Sequence, residues 1–266
     1  MMHLLQTVED TAARGAEGLT AAARQSVAAA LHALQRPDGG FAGLDGQSDP
    51  YFSLFAWLGL RALGATYDRD RLCAYLTAHR QSARRIDAQC ADLVLACEGR
   101  DSRFSRLKCA AALWRGGTHE AYGAFLLALA TGSAPRWLAR LAWRRLSPAA
   151  GAAERLPTPR LAAGVLLAAL AGEDAADLHS ALASRRRAGG GFASAAGAPA
   201  DLLATAAARF SLGMRHAAPG ETREADLAFI EACWQEDGLF GPSPSATRGD
   251  AEHTFYGLLA LGTCRP

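Results

Sequence analysis

Residues 36–65 read RPDGGFAGLDGQSDPYFSLFAWLGLRALGA, and the order of signals within them decides the fold. Pro-Asp-Gly-Gly is turn chemistry. Asp49 then stands directly before Pro50, a capping side chain followed by the one helical position that favours proline, and an apolar run continues to Gly64. The pattern is loop, capping aspartate, apolar helix. It recurs in RAGGGFASAAGAPADLLATAAARFSLG (187–213), where a helix opens at Asp201, and in WQEDGLFGPSPSATRGDAEHTFYGLLALG (234–262), where one opens at Asp250.

Weaker copies begin at Asp87, Thr118 and Pro159, so that six apolar helices start near 50, 87, 118, 159, 201 and 250. Their spacing of about 40 residues is that of a helix–turn–helix repeat. Charged residues interrupt the apolar face at helical spacing near 21–35, 69–80, 102–115, 135–146, 174–186 and 222–234, which supplies a polar companion for each. These are the parts of an all-α protein, an α/α toroid of about six helical hairpins. We expect one domain over 1–266, with an N-terminal extension at 1–19 and a Pro-, Ala- and Gly-rich linker at 147–159. Three hairpins on either side of that linker would leave open ends, so a closed ring is preferred to an open solenoid.

Composition agrees with this architecture. The 266 residues include 61 alanines and 27 arginines, with Lys108 the only lysine, and half are hydrophobic. Alanine and leucine favour helix, and β-branched residues are scarce. A net charge of +2 gives no reason to expect nucleic acid as a partner. Six cysteines at irregular spacing, without a CxxC pair, read as reduced thiols and a cytoplasmic location. The first fifteen residues contain early acidic positions and no long apolar run, so no signal peptide or anchor is expected. The apolar stretch 161–171 is too short to span a bilayer.

The Gly-Gly-Phe loops, SDPYFSLFAWLGL and the final GDAEHTFYGLLALG resemble the prenyltransferase and squalene-cyclase repeat superfamily, most closely the β-subunits of protein prenyltransferases, over roughly residues 20–264. The resemblance implies a central cavity for an isoprenoid diphosphate beside aromatic walls, a partner subunit, and a zinc ion that activates an acceptor thiol. Asp250 and His253 match the D-x-x-H-T helix of the zinc site, and Asp201 matches its aspartate on the preceding inner helix. Leu203 stands where that helix should carry a thiol, and leucine offers a metal no donor. Any zinc would therefore be held by His253 with Asp250 or Asp201, with water in place of sulfur.

The aromatic residues Tyr51, Phe52, Phe55, Tyr122, Phe255 and Tyr256 fall on expected inner helices, where they would wall such a cavity or simply fill volume. Arg185, Arg186 and Arg187 precede a triple-glycine loop and are the candidate anion site, the alternative being a solvated helix end. No D-x-D-D motif for protonating an alkene is present. Residues 135–146, PRWLARLAWRRL, set Arg136, Arg140 and Arg144 on one stripe with Trp137, Leu138, Leu141 and Trp143 around it, a pattern suited to an anionic membrane surface or a partner helix, the alternative being an amphipathic outer helix whose tryptophans pack inward against the ring. The sequence reads as a prenyltransferase-like or terpenoid-handling enzyme that binds an isoprenoid or similar lipid. The alternative is a non-catalytic toroid, a binding or scaffold protein that has lost the zinc site.

Overall fold

The structure, a computed structural model, describes residues 4–82, 84–100, 136–148, 151–213 and 223–265. Among them the chain forms α1 (Leu4–Glu17), α2 (Ala21–Ala33), α3 (Pro50–Ala62), α4 (Arg69–His79), α5 (Arg85–Cys97), α6 (Arg136–Leu146), a 3-10 turn (Ala153–Arg155), α7 (Thr158–Ala171), α8 (Ala176–Ala183), α9 (Leu202–Gly213), α10 (Arg223–Ala232) and α11 (Ala251–Thr263). A two-residue ladder pairs Phe192–Ala193 with Ala200–Asp201. The helices expected at 102–115 and from 118 lie outside the described residues.

The inner helices stand side by side in the order α5, α3, α11, α9, α7. The last inner helix of the chain thus packs against the first, which an open solenoid would not allow. Outside them, α2 and α4 cover α3, α4 covers α5, α10 covers α11, α8 covers α7 and α9, and α6 covers α7. This is an all-α, α/α toroid. No helix among the described residues is long and apolar enough to cross a membrane.

The repeated loops explain how the hairpins join. In each, the phenylalanine after the glycines is buried, and its amide donates to a hydroxyl four residues beyond the capping aspartate. Phe41 N reaches Ser53 Oγ at 2.9 Å, Phe192 N reaches Thr205 Oγ1 at 2.9 Å and Phe240 N reaches Thr254 Oγ1 at 3.0 Å. A buried amide needs such a partner, so Asp-x-x-x-Ser/Thr secures both the helix start and the loop that precedes it. Each loop then rests on the next outer helix: Gly39 on Arg71 of α4, Gly190 on Ala225 of α10, and Gly238 on Ser26 and Ala30 of α2. The third contact sets the last loop on the first outer helix, a second closure of the ring. These three glycines have φ of 95°, 93° and 84°, a backbone region that only glycine enters at little cost.

The segment read as an extension folds as α1 and packs across α11 and α3. The approach is backbone to backbone, since a methyl group on Gly262 would overlap the Thr11 carbonyl and one on Gly15 the Leu258 carbonyl. Arg61 of α3 also pairs with Glu9 of α1 at 2.8 Å. We expect Gly262→Val to separate the two helices and lower stability by about 3 kcal/mol in urea unfolding. Gly213→Ala, where an added methyl meets open space, should change stability by no more than about 1 kcal/mol.

Candidate functional site

The inner helices place three capping aspartates on one rim of the ring. Asp49 Oδ1 accepts from Tyr51 N at 2.7 Å, Asp201 Oδ1 from Ala204 N at 2.8 Å, and Asp250 Oδ1 from His253 N at 2.8 Å. Each satisfies helix donors that have no partner within the helix and opposes the positive end of the dipole. Asp49 also accepts from Arg84 Nη1 at 3.1 Å, and Asp250 Oδ2 pairs with His253 Nδ1 at 2.8 Å. Both oxygens of Asp250 are therefore engaged by the same residue. Nε2 is the His253 nitrogen left for anything that enters.

The seam between α3 and α11 gathers the aromatic candidates. Phe55 lies 4.9 Å from Tyr51, 5.8 Å from Phe255 and 5.4 Å from Tyr256, measured between ring centroids, and Tyr51 lies 5.6 Å from Phe52. Five of the six expected wall residues thus form one contiguous cluster, drawn from helices two hundred residues apart in sequence. Tyr122 lies outside the described residues. Phe55 and Phe255 are buried, while Tyr51, Phe52 and Tyr256 are half-buried, which leaves the two phenols and one phenyl ring with open surface. Leu166 and Leu170 of α7 belong to the same continuous core as these rings, while Leu161, Ala162, Val165 and Ala168 pack with Leu178, Ala181 and Leu182 of α8 and with Phe192 and Ala208.

A residue that the sequence did not single out completes the seam. The Tyr51 hydroxyl donates to the carboxylate of Glu252. Burial pushes the Glu252 carboxyl up, the hydrogen bond from Tyr51 opposes that, and the charges of Asp250 and Asp201 add to it. Burial, then Glu252, pushes the Tyr51 phenol up as well. On α5, Cys90 is buried and its thiol is pushed up to about 12, first by burial and then by Asp87, Asp49 and Glu252. A thiol held neutral in this way is a poor nucleophile and metal ligand.

His253 moves differently. Burial lowers its pKa, but the hydrogen bond to Asp250 and the charges of Asp250, Glu252 and Asp201 outweigh that and raise it above 6.5. Because the folded value exceeds the unfolded one, the stabilisation is complete below the unfolded pKa and fades as pH rises through the folded pKa. The stability gap between wild type and His253→Gln should therefore be larger near pH ~6 than near pH ~9. Urea unfolding at both pH values checks this, and a gap that widens with pH would contradict it.

The donor set does not fit the zinc ion implied by the resemblance. Asp250 is committed to His253, Asp201 caps Ala204, and Leu203 supplies nothing. Among the described residues no three His, Cys, Asp or Glu side chains group closely enough to hold a metal ion. No chemical step is assigned to one.

The three arginines are not gathered around one point. Arg185, buried, donates to the carbonyls of Glu154 and Leu156; Arg186 pairs with Asp226 at 2.9 Å and lies over the Phe192 ring; Arg187 donates to the Ala198 carbonyl at 3.0 Å. Each guanidinium serves a different internal acceptor: Arg186 and Arg187 brace the loop at 186–200, and Arg185 ties the turn at 154–156 to the end of α8. A pocket of about 220 Å³ lies elsewhere, on the outer side between α6 and α8, lined by Trp143, Ser147, Asp174 and Asp177 among others.

The sequence profile of the prenyltransferase alpha-alpha toroid domain matches residues 2–121 and 161–261. No curated protein matches the chain.

Proposed function

Since the chain belongs to the prenyltransferase alpha-alpha toroid family, we propose that it takes a long isoprenoid chain, free or as its diphosphate, into the ring. The observation that carries this is the aromatic seam of Tyr51, Phe52, Phe55, Phe255 and Tyr256 beside the Asp250–His253 pair. Apolar rings with open surface suit the chain. A polar group at its end meets His253 Nε2, oriented by the bond that Asp250 makes to Nδ1, and the Tyr51–Glu252 pair. In an enzyme of this kind the imidazole holds or accepts a proton at Nε2, and Asp250 stabilises the cation that results. The free cysteines among the described residues suit a reducing, cytoplasmic setting.

A second reading, a toroid that binds without catalysing, has its own support. Leu203 in place of a thiol, and an Asp250 whose two oxygens are both spent on His253, take away donors that acceptor activation would need. Titration with fluorescent farnesyl and geranylgeranyl diphosphate analogues tests binding for both readings. Turnover of the bound analogue with an added acceptor then separates them.

A further inference from the structure

We propose that the outward face of α6 is a docking surface for an anionic lipid membrane. Leu138, Ala139, Ala142 and Leu146 are buried against the ring, whereas Arg136, Trp137, Arg140, Arg144 and Arg145 are exposed. At about 100° per residue, Trp137 falls about 20° from Arg144, with Arg140 about 60° away on one side and Arg145 about 80° away on the other, near the middle of the face turned away from the protein. The indole is 56% exposed, while Trp57 of α3 is fully buried. A large apolar side chain at the outermost point of an outer helix gains nothing from the core of its own chain.

Charge selects the occupant. No acidic residue occurs on α6. Arg140 comes within 4.0 Å of Glu173, but Arg136, Arg144 and Arg145 make no ion pair among the described residues. Among those residues the exposed large apolar side chains are Leu44, in a loop, and Trp137. Arg136 lies over Gly172 and Arg140 donates to the Ala171 carbonyl at the end of α7, so a lone indole beside the free Arg144 and Arg145 is what this face offers, without the contiguous apolar area that a protein partner would cover. It matches a lipid headgroup layer, where indole sits at the interface and arginine meets phosphate. This face stands apart from the ring mouth, and the proposal does not depend on what the ring binds.

The test is sedimentation of the full chain with vesicles of phosphatidylcholine alone and with about one-quarter phosphatidylglycerol. Binding should require the anionic lipid and weaken with added salt. Arg144→Gln combined with Arg145→Gln should reduce it about thirtyfold, from about 1 kcal/mol per arginine near the surface. Trp137→Ser should reduce it by roughly tenfold. All three positions are exposed, so circular dichroism should be unchanged. The proposal is overturned if wild type fails to sediment with anionic vesicles, binds neutral ones equally, or is matched by the variants. It is also overturned if Trp137→Ser alters the oligomeric state of lipid-free protein, since the face would then be a contact between copies.

Discussion

Asp226→Ala is expected to be the most damaging single change in the ring, lowering the free energy of unfolding by about 3–5 kcal/mol. Asp226 of α10 is completely buried and accepts from Arg209 of α9, from Arg186 at 2.9 Å and from the Gly191 amide at 2.8 Å. The loops at 36–49 and 234–249 need no such helper. There the corresponding amides, of Gly40 and Leu239, donate to the loops' own aspartates, Asp38 and Asp237, each at 3.0 Å. In the middle loop Gly189 stands where that aspartate would be, and Asp226 supplies the missing carboxylate from the neighbouring helix. Removing it strands a buried guanidinium, because Arg209 is only 4% exposed. Gly189→Asp in the Asp226→Ala background should return about 1 kcal/mol by satisfying the loop amide, and no more, because Arg209 stays unpaired. A loss below about 1 kcal/mol for Asp226→Ala would show that the network does not hold the loop.

The second large effect is on binding. Tyr256→Ala removes a half-buried ring that touches Phe55 and Phe255 at 5.4 and 5.6 Å between centroids. The ring's surface is only partly open, and the ring packs on the core, so stability should fall as well, by about 2–3 kcal/mol, and binding is compared on the folded variant. A chain-like ligand lying along the seam would cover that surface, and losing roughly 80 Å² of apolar contact costs about 2 kcal/mol, or thirtyfold in Kd. Tyr256→Phe keeps the ring and should bind within about threefold of wild type. Equal affinity for wild type and Tyr256→Ala would place the ligand elsewhere.

Much of this architecture was legible from local chemistry. Asp49, Asp201 and Asp250 announce helix starts because capping needs a short polar side chain at a fixed position, and the turn glycines before them are equally local. What the sequence did not disclose depends on which helices become neighbours. The Tyr51–Glu252 bond joins the first and last inner helices, so no spacing within either one signals it. Asp226 gives the same lesson. The run Arg185-Arg186-Arg187 suggested a converging anion site or a solvated helix end, but each side chain reaches its own separate acceptor, which the run itself cannot show. The hydroxyls of Ser53, Thr205 and Thr254 were readable in principle, four residues after each capping aspartate. Their role becomes plain only when the loop phenylalanine amides are seen to need them.

The central claim is that the ring holds an isoprenoid chain, and its most direct measurement is a titration of the wild-type protein with fluorescent farnesyl and geranylgeranyl diphosphate analogues. Saturable binding of one ligand per chain is expected, with Kd in the micromolar range or tighter, a free energy of about −8 kcal/mol or more favourable. Displacement by the corresponding unlabelled diphosphate is expected too. No saturable binding at micromolar protein, or binding that unlabelled isoprenoid fails to displace, would contradict it and leave a toroid that serves as a scaffold.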